Sequence, residues 1–520
     1  MISRGRTSIV AAAVVLWVGG WLWLARHYQL DDSLIHLQYA ERLWTLGVLS
    51  FDGIHRGAGT SSLLFVGLVA ILHGMVDSVY IPKVLSLISY LTLLGMVALR
   101  VTRSSSLARA LWLGVLIALL SPMGFRWLYD GMETSLMVLA ALVLGLLGHR
   151  ISMRPTTSAR RYLMLVVLGG AVAMLRVELA LLIAVATLSA LMFRLEQRSR
   201  AVGEPGALRV LIRDAARESH LVLGGCVAVL TAHFVTGHFL PDTAVAKATG
   251  RASLDQLWGV GRAFMGASSL GLGLLLVWAI CLVVVFGSDA VRKAHMRSFL
   301  TANSVLALLV ALAIVRGQYI HGVRYFLWPL VFMITWDLLV LMPMAPAQAT
   351  FVAAAPRLKR RYGKFLVAGV MLLVCLWGVE GWAVYKIVED SSEVFLKMRS
   401  GDLKALAGKP GIAFDVGFIS YFSQAAICDL SGLVNGRAMA LASPEDRLRY
   451  CLAQSPSFAY LSPSQAAALG GQINFDSWVL CDEYWLSNVG VREPHYLLVR
   501  PELAGMCSGS SLPKWKGKLK

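Results

Sequence analysis

The sequence predicts an all-α polytopic membrane domain of about eleven transmembrane helices, followed by a small α/β domain outside the membrane. Three observations predict it. Hydrophobic residues make up 57% of the 520 positions and charged residues 15%, against about 45–50% and about 25% in soluble domains. Apolar runs recur between residues 8 and 383, most of them close to the ~20 residues that cross a bilayer as a helix. Past residue 384 the runs stop and short alternating segments replace them, which divides the chain into 1–384 and 385–520.

The net charge of +18 would suggest nucleic acid as a partner if the protein were soluble. Here Lys and Arg gather in short loops between apolar runs, as the positive-inside rule requires, so the partner they imply is the lipid bilayer and no nucleic acid. The first span, 8–24, follows Arg4 and Arg6 and carries Trp21 and Trp23 near its far end, as an uncleaved anchor with a cytoplasmic N-terminus. Residues 26–60 then face outside. The short run 61–75, broken by Gly67, His73 and Gly74, reads as a re-entrant or interfacial helix, because a second crossing there would put Arg100, Arg103 and Arg109 on the wrong side of the span at 80–99.

A span to about residue 123, an outer turn at 129–133 and a return span follow, leading to an inner loop with Arg150, Arg154, Arg160 and Arg161. The run 163–195 would be ~45 Å long as one helix, too long for a ~30 Å core. Both its flanks are basic and Arg176 and Glu178 stand at its middle, so the chain turns there, on the outside. Further spans are read at 221–235, 264–286, 300–315, 325–341 and 365–384. The odd count makes the protein a multi-pass membrane protein whose C-terminal domain lies outside, as a folded periplasmic domain. In that domain 411–416, 458–461 and 495–499 read as strands, 444–452 as a helix and 514–520 as a basic tail. Its four cysteines, Cys428, Cys451, Cys481 and Cys507, suit an oxidising compartment, where at least one disulfide is expected among three pairings.

The candidate site residues all fall at the outer level. Asp31 and Asp32 follow the first span and open a segment whose Leu34, Ile35, Leu37, Tyr39, Leu43, Trp44 and Leu46 predict an amphipathic helix lying in the interface. Glu133, Arg176 with Glu178, Asp242 with Lys247, and His321 with Arg324 lie in the other outer loops. Charges inside a bilayer cost about 2.5–3.5 kcal/mol or more, so clustering near an interface or in a wet cavity is the expected arrangement. Carboxylates beside cations fit one chemistry: a carboxylate accepts a proton from an acceptor hydroxyl while Arg or Lys neutralises a lipid-linked phosphate leaving group. No Walker A or zinc-binding spacing occurs, no cofactor is named by the sequence, and a divalent cation would be held only through the carboxylates.

Several motifs in order resemble those of the GT-C type of integral-membrane glycosyltransferases, which use polyprenyl-phosphate sugars, and most of all the bacterial branch with the terminal arabinofuranosyltransferases. They are Asp31-Asp32-Ser33-Leu34-Ile35 with Gln38-Tyr39-Ala40, Gly59-Thr60-Ser61, Gly131-Met132-Glu133-Thr134, Arg176-Val177-Glu178, Leu240-Pro241-Asp242-Thr243 with Lys247, Arg324-Tyr325-Phe326, and Asp415-Val416-Gly417 with Asp429-Leu430-Ser431-Gly432. Gln38 replaces the family's Arg, Val177 its Pro, Asp242 its Asn, and His55-Arg56 an acidic element. The resemblance implies a polyprenyl-phosphate-linked donor, such as a pentose, and an extracytoplasmic glycan, lipid or protein acceptor. The leading reading of these residues gives the catalytic set as Asp31, Asp32 and Glu133, with Asp31 or Asp32 as base or acceptor-positioning group and Glu133 shaping the acceptor site. It gives donor phosphate binding to Arg176, Lys247 and Arg324, and support to Glu178, Asp242, His321 and Tyr39. The competing reading is a transporter or flippase for a lipid-linked or anionic substrate, since charges at membrane depth also mark transport pathways. Such folds carry internal repeats, and the two halves of this chain show none.

Overall fold

The computed structural model describes residues 4–55, 57, 59–76, 78–104, 106–153, 158–202, 219–239, 241–246, 268–287, 296–305, 322–341, 375–401, 403–469, 471–488 and 491–507. Helices α1 (Arg4–Leu24), α2 (Asp31–Leu46), α3 (Leu63–Met75), α4 (Ile81–Arg103), α5 (Ser106–Leu119), α6 (Pro122–Leu128), α7 (Thr134–Met153), α8 (Ala159–Leu175) and α9 (Glu178–Val202) come first. Helices at His220–Thr236, Ser268–Gly287 and Gly322–Trp336 continue the bundle. Among the described residues, four helices are long and apolar enough to cross a membrane: Ile81–Arg103 and the stretches Thr134–Ile151, Glu178–Gln197 and Ser269–Phe286. The pair α5 and α6 adds a broken span bent by 69°. Ser121 caps α6 by accepting from the Gly124 amide, and Pro122 sits in its first turn, so the bend is written locally. The chain is a multi-pass membrane protein. Parts of the spans read at 264–286, 300–315 and 365–384 lie outside the described residues, as does the tail 514–520.

The break at Arg176 is as the sequence requires. Arg176 is the extended residue that ends α8, and Glu178 opens α9. Helix α8 packs closely on His220–Thr236 because Gly169 and Gly224 face each other's helix; a Cβ on Gly169 would run into the Leu221 carbonyl, and one on Gly224 into that of Val166.

A helix over residues 375–400 leads from the bundle into the C-terminal unit. Its Trp377 stacks on Trp17 of α1, and Arg492 pairs with its Asp390 at 3.0 Å. The unit holds a five-stranded sheet ordered β2-β1-β3-β5-β4. The strands are β1 (Pro410–Ala413), β2 (Ala426–Asp429), β3 (Phe458–Leu461), β4 (Val479–Asn488) and β5 (Val491–Val499). The first three run parallel and the last two pair as an antiparallel hairpin. Its inner face, with Tyr460, Tyr484, Leu497 and Val499, forms one core with α2, α3 and the helix Gly417–Ser423. The opposite face packs on the helix Pro444–Ala453. Disulfides join Cys428 to Cys451 and Cys481 to Cys507, the one of the three pairings adopted.

One expectation is corrected. Helix α2 does not lie open in the interface along its length: Ser33 to Ala40 are all buried, and only its end, with Trp44 and Leu46, is exposed. Its polar side is covered by the C-terminal unit and by outer-loop partners. An amphipathic pattern gives the width of the apolar stripe, not what covers the other side.

Candidate functional site

The site forms where the C-terminal unit meets the start of α2 and the bundle. Asp31 and Asp32 stand in the first turn of α2, where a helix N-terminus favours carboxylates. They do different things. Asp31 accepts hydrogen bonds from the Gly417 and Phe418 amides at 2.8 and 2.6 Å, satisfying the start of the helix Gly417–Ser423 from a position 386 residues away in sequence. Position 417 must be glycine because a Cβ there would strike the Asp31 carbonyl. Asp32, with 39% of its side chain exposed, meets the buried Arg324 at 3.1 Å.

Asp31, Asp32, Arg126 and Arg324 from the membrane unit and Asp415 and His495 from the C-terminal unit line one cleft of about 870 Å³, counting its open mouth. Arg126 lies over the Trp127 ring, 4.6 Å from its centroid. Two guanidinium groups and a partly exposed carboxylate thus share one opening.

Burial, with the nearby charge of Asp415, pushes Asp31 up to about 7 against the two amide bonds that favour its ionised form. The folded chain therefore binds this proton more tightly than the unfolded chain. The resulting stabilisation is complete below the ordinary value of 3.8 and is lost as pH rises through about 7. Asp31→Asn is expected to flatten the fall of Tm between pH 5 and 8; an unchanged slope would show that Asp31 does not titrate in this window.

Glu133, Arg176 and Glu178 form a second, deeper network. Arg176 Nη1 donates to Glu133 at 2.9 Å, and its Nη2 to Glu178 at 3.1 Å. His36 of α2 reaches the other Glu133 oxygen at 3.3 Å, and its Nδ1 meets the Thr60 hydroxyl at 3.1 Å. Burial works to raise Glu133, but His36, Arg176 and Arg324 together hold it well below the usual carboxylate range. Tyr39 Oη accepts from the Gly59 amide at 3.0 Å, and buried Asp242 pairs with Arg437 at 3.4 Å. These contacts fasten the loops to α2 and to the C-terminal unit. Lys247 and His321 lie outside the described residues.

The cleft therefore unites Asp31, Asp32 and Arg324 of the expected set. Glu133, Arg176 and Glu178 stand together beside it, while Tyr39 and Asp242 hold loops. Sequence reasoning missed Arg126, His36 and His495, and gave Asp415 no chemical role. Arg126 left a readable signal, an arginine within an apolar segment. Among the described residues no group of three or more His, Cys, Asp or Glu is placed to hold a metal ion.

No protein-family model and no curated protein matches the sequence. Solved structures do. ArnT from Cupriavidus metallidurans in the apo state superposes with a TM-score of 0.53 at 13% identity, covering 98% of this chain and 100% of that one. The chain has an ArnT-like fold. This is the GT-C architecture that the motifs resemble. The structure of ArnT bound to undecaprenyl phosphate covers the same shares, with a TM-score of 0.49 and 11% identity.

Proposed function

We propose that this ArnT-like protein is a membrane glycosyltransferase that moves a sugar from a polyprenyl-phosphate donor to an acceptor outside the cytoplasm of a bacterial cell. One observation carries the reading: the partly exposed Asp32 carboxylate pairs with Arg324 in a cleft that Arg126 also lines. In the transfer, the acceptor hydroxyl oxygen bonds to the anomeric carbon and gives its proton to Asp32. The bond from that carbon to the phosphate oxygen breaks, and its electron pair leaves with polyprenyl phosphate. Arg324 and Arg126 bind the phosphate and stabilise the charge it gains. A phosphate that draws Arg324 to itself also loosens the hold on Asp32, making the carboxylate a better base.

Lys247 is assigned to the same phosphate because its motif follows Asp242. Arg176 and Glu133 are assigned to bracing, because Arg176 already meets two carboxylates. The motif resemblance supports arabinofuranose or a related pentose as the sugar, and a glycan, lipid or protein as acceptor. The basic loops support a cytoplasmic N-terminus and a periplasmic C-terminal unit.

The cation pair gives a direct test. Farnesyl phosphate binding to the full chain in nanodiscs is expected to weaken by about 10-fold or more in Arg324→Gln and in Arg126→Gln, each losing a charge-assisted hydrogen bond. Unaltered affinity in both would remove the phosphate from this cleft.

A further inference from the structure

We propose that the Asp415–His495 pair is a hydroxyl-binding subsite that the C-terminal unit adds to the cleft, and that it positions a glycan-type acceptor. The topology of the sheet points to this place. From β1 the chain passes through Gly417–Ser423, on the inner face, to its neighbour β2; it then returns past β1, by way of Pro444–Ala453 on the outer face, to β3 on the other side. Strand order thus reverses between β1 and β3, and in α/β sheets the crevice beyond the carboxyl ends at such a reversal is where ligands bind. Asp415 lies two residues past β1, in that crevice. Side-chain alternation along β5 puts His495 on the same face as Leu497 and Val499, which belong to the core shared with α2.

The chemistry of the pair agrees. His495 is only 6% exposed, its ring lies 5.3 Å from that of Tyr460, and its Nε2 is 3.0 Å from Asp415 Oδ2. Burial works to raise Asp415, but the hydrogen bonds from His495 and Gln465 hold it below the usual range, so it stays an ionised acceptor. A carboxylate can only accept, which places a ring hydrogen on Nε2 and leaves Nδ1 for another polar group. Nδ1 is buried with no hydrogen-bond partner among the described residues. Such an atom is costly unless something completes it. Asp31 and Asp32, facing the same cleft, are already engaged by two amides and by Arg324. A hydroxyl, which both donates and accepts, suits Nδ1, and the cleft has room for a sugar ring. His495 is then a positioning residue: it holds one hydroxyl of the acceptor while another faces Asp32.

The subsite rests on the glycosyl-transfer reading, and the test separates the two. Methyl α-D-arabinofuranoside serves as a soluble hydroxyl-bearing probe, and its Kd for the full chain in nanodiscs is read by saturation-transfer NMR. His495→Gln can still donate to Asp415 but loses the polar atom at the Nδ1 position, and Kd is expected to rise about tenfold, the upper end for one hydrogen bond. His495→Asn places an amide oxygen near the Nδ1 position and is expected to recover to within about threefold of wild type. Farnesyl phosphate affinity, a check that the cleft is folded, should stay within about twofold in both, since neither variant alters the arginines. Equal probe affinity in His495→Gln and wild type, or no saturable binding to wild type, overturns the subsite. If the expected pattern appears and wild type turns over no polyprenyl-phosphate sugar, the hydroxyl subsite stands and the transfer reading fails.

Discussion

Asp32→Asn is expected to reduce sugar transfer by roughly 10²–10⁴-fold, the range a general base contributes, with yield and monodispersity unchanged. Asn keeps the size of the side chain and can still accept from Arg324, but it cannot take the proton of an acceptor hydroxyl. Folding should tolerate the change because Asp32 is 39% exposed and lies at the cleft rather than in a core. Asp31→Asn should behave differently. Asp31 spends both oxygens on the Gly417 and Phe418 amides, so its loss should show first in how firmly the C-terminal unit is held. Comparing the rate of donor consumption with thermal stability for the two variants distinguishes the proton acceptor from the clasp. Full activity in Asp32→Asn would remove it from the chemistry.

Arg176→Met should be the most destabilising change in the outer loops, costing about 3–5 kcal/mol, the usual result of removing one partner from a buried ion pair. Glu133 is 2% exposed and would keep His36 at its other oxygen and the more distant Arg324 against its charge, with nothing among the described residues at the oxygen that Arg176 held. Combining Arg176→Met with Glu133→Gln removes the more deeply buried of the two stranded charges, so the double variant should be more stable than Arg176→Met alone. Chemical denaturation of the four proteins completes the cycle. If Arg176→Met melts like wild type and instead weakens farnesyl phosphate binding, Arg176 belongs to the phosphate site and the brace assignment fails.

Much of this was legible in the sequence where local physics decides. The turn at Arg176 follows from a run too long for one crossing with charges at its centre, and α8 and α9 meet there. The strand at 458–461 and the helix beginning at Pro444 were visible in short apolar and capped segments. What escaped was set by distant partners. The burial of α2 depends on the unit that covers it, and the separate duties of Asp31 and Asp32 depend on Gly417 and Arg324, hundreds of residues away. His495 read only as part of a strand, because nothing nearby in sequence reveals its carboxylate partner, 80 residues upstream. The number of crossings was also hard to read, since helices such as Leu63–Met75 and His220–Thr236 are shorter than a full span.

The central claim is that the cleft cleaves the bond between a sugar and a polyprenyl phosphate, and phosphorus NMR of a defined donor follows that bond directly. Full-length protein in nanodiscs would be given farnesyl-phosphoryl arabinofuranose, and in parallel the corresponding hexose donors, with a glycan acceptor mixture. The expected result is conversion of the phosphodiester signal of at least one donor to the phosphomonoester of free prenyl phosphate, slowed about 100-fold or more by Asp32→Asn. Phosphodiester signals that persist for every donor, while the same protein moves a labelled prenyl-phosphate lipid from one leaflet of a vesicle to the other, would contradict the claim and identify a transporter.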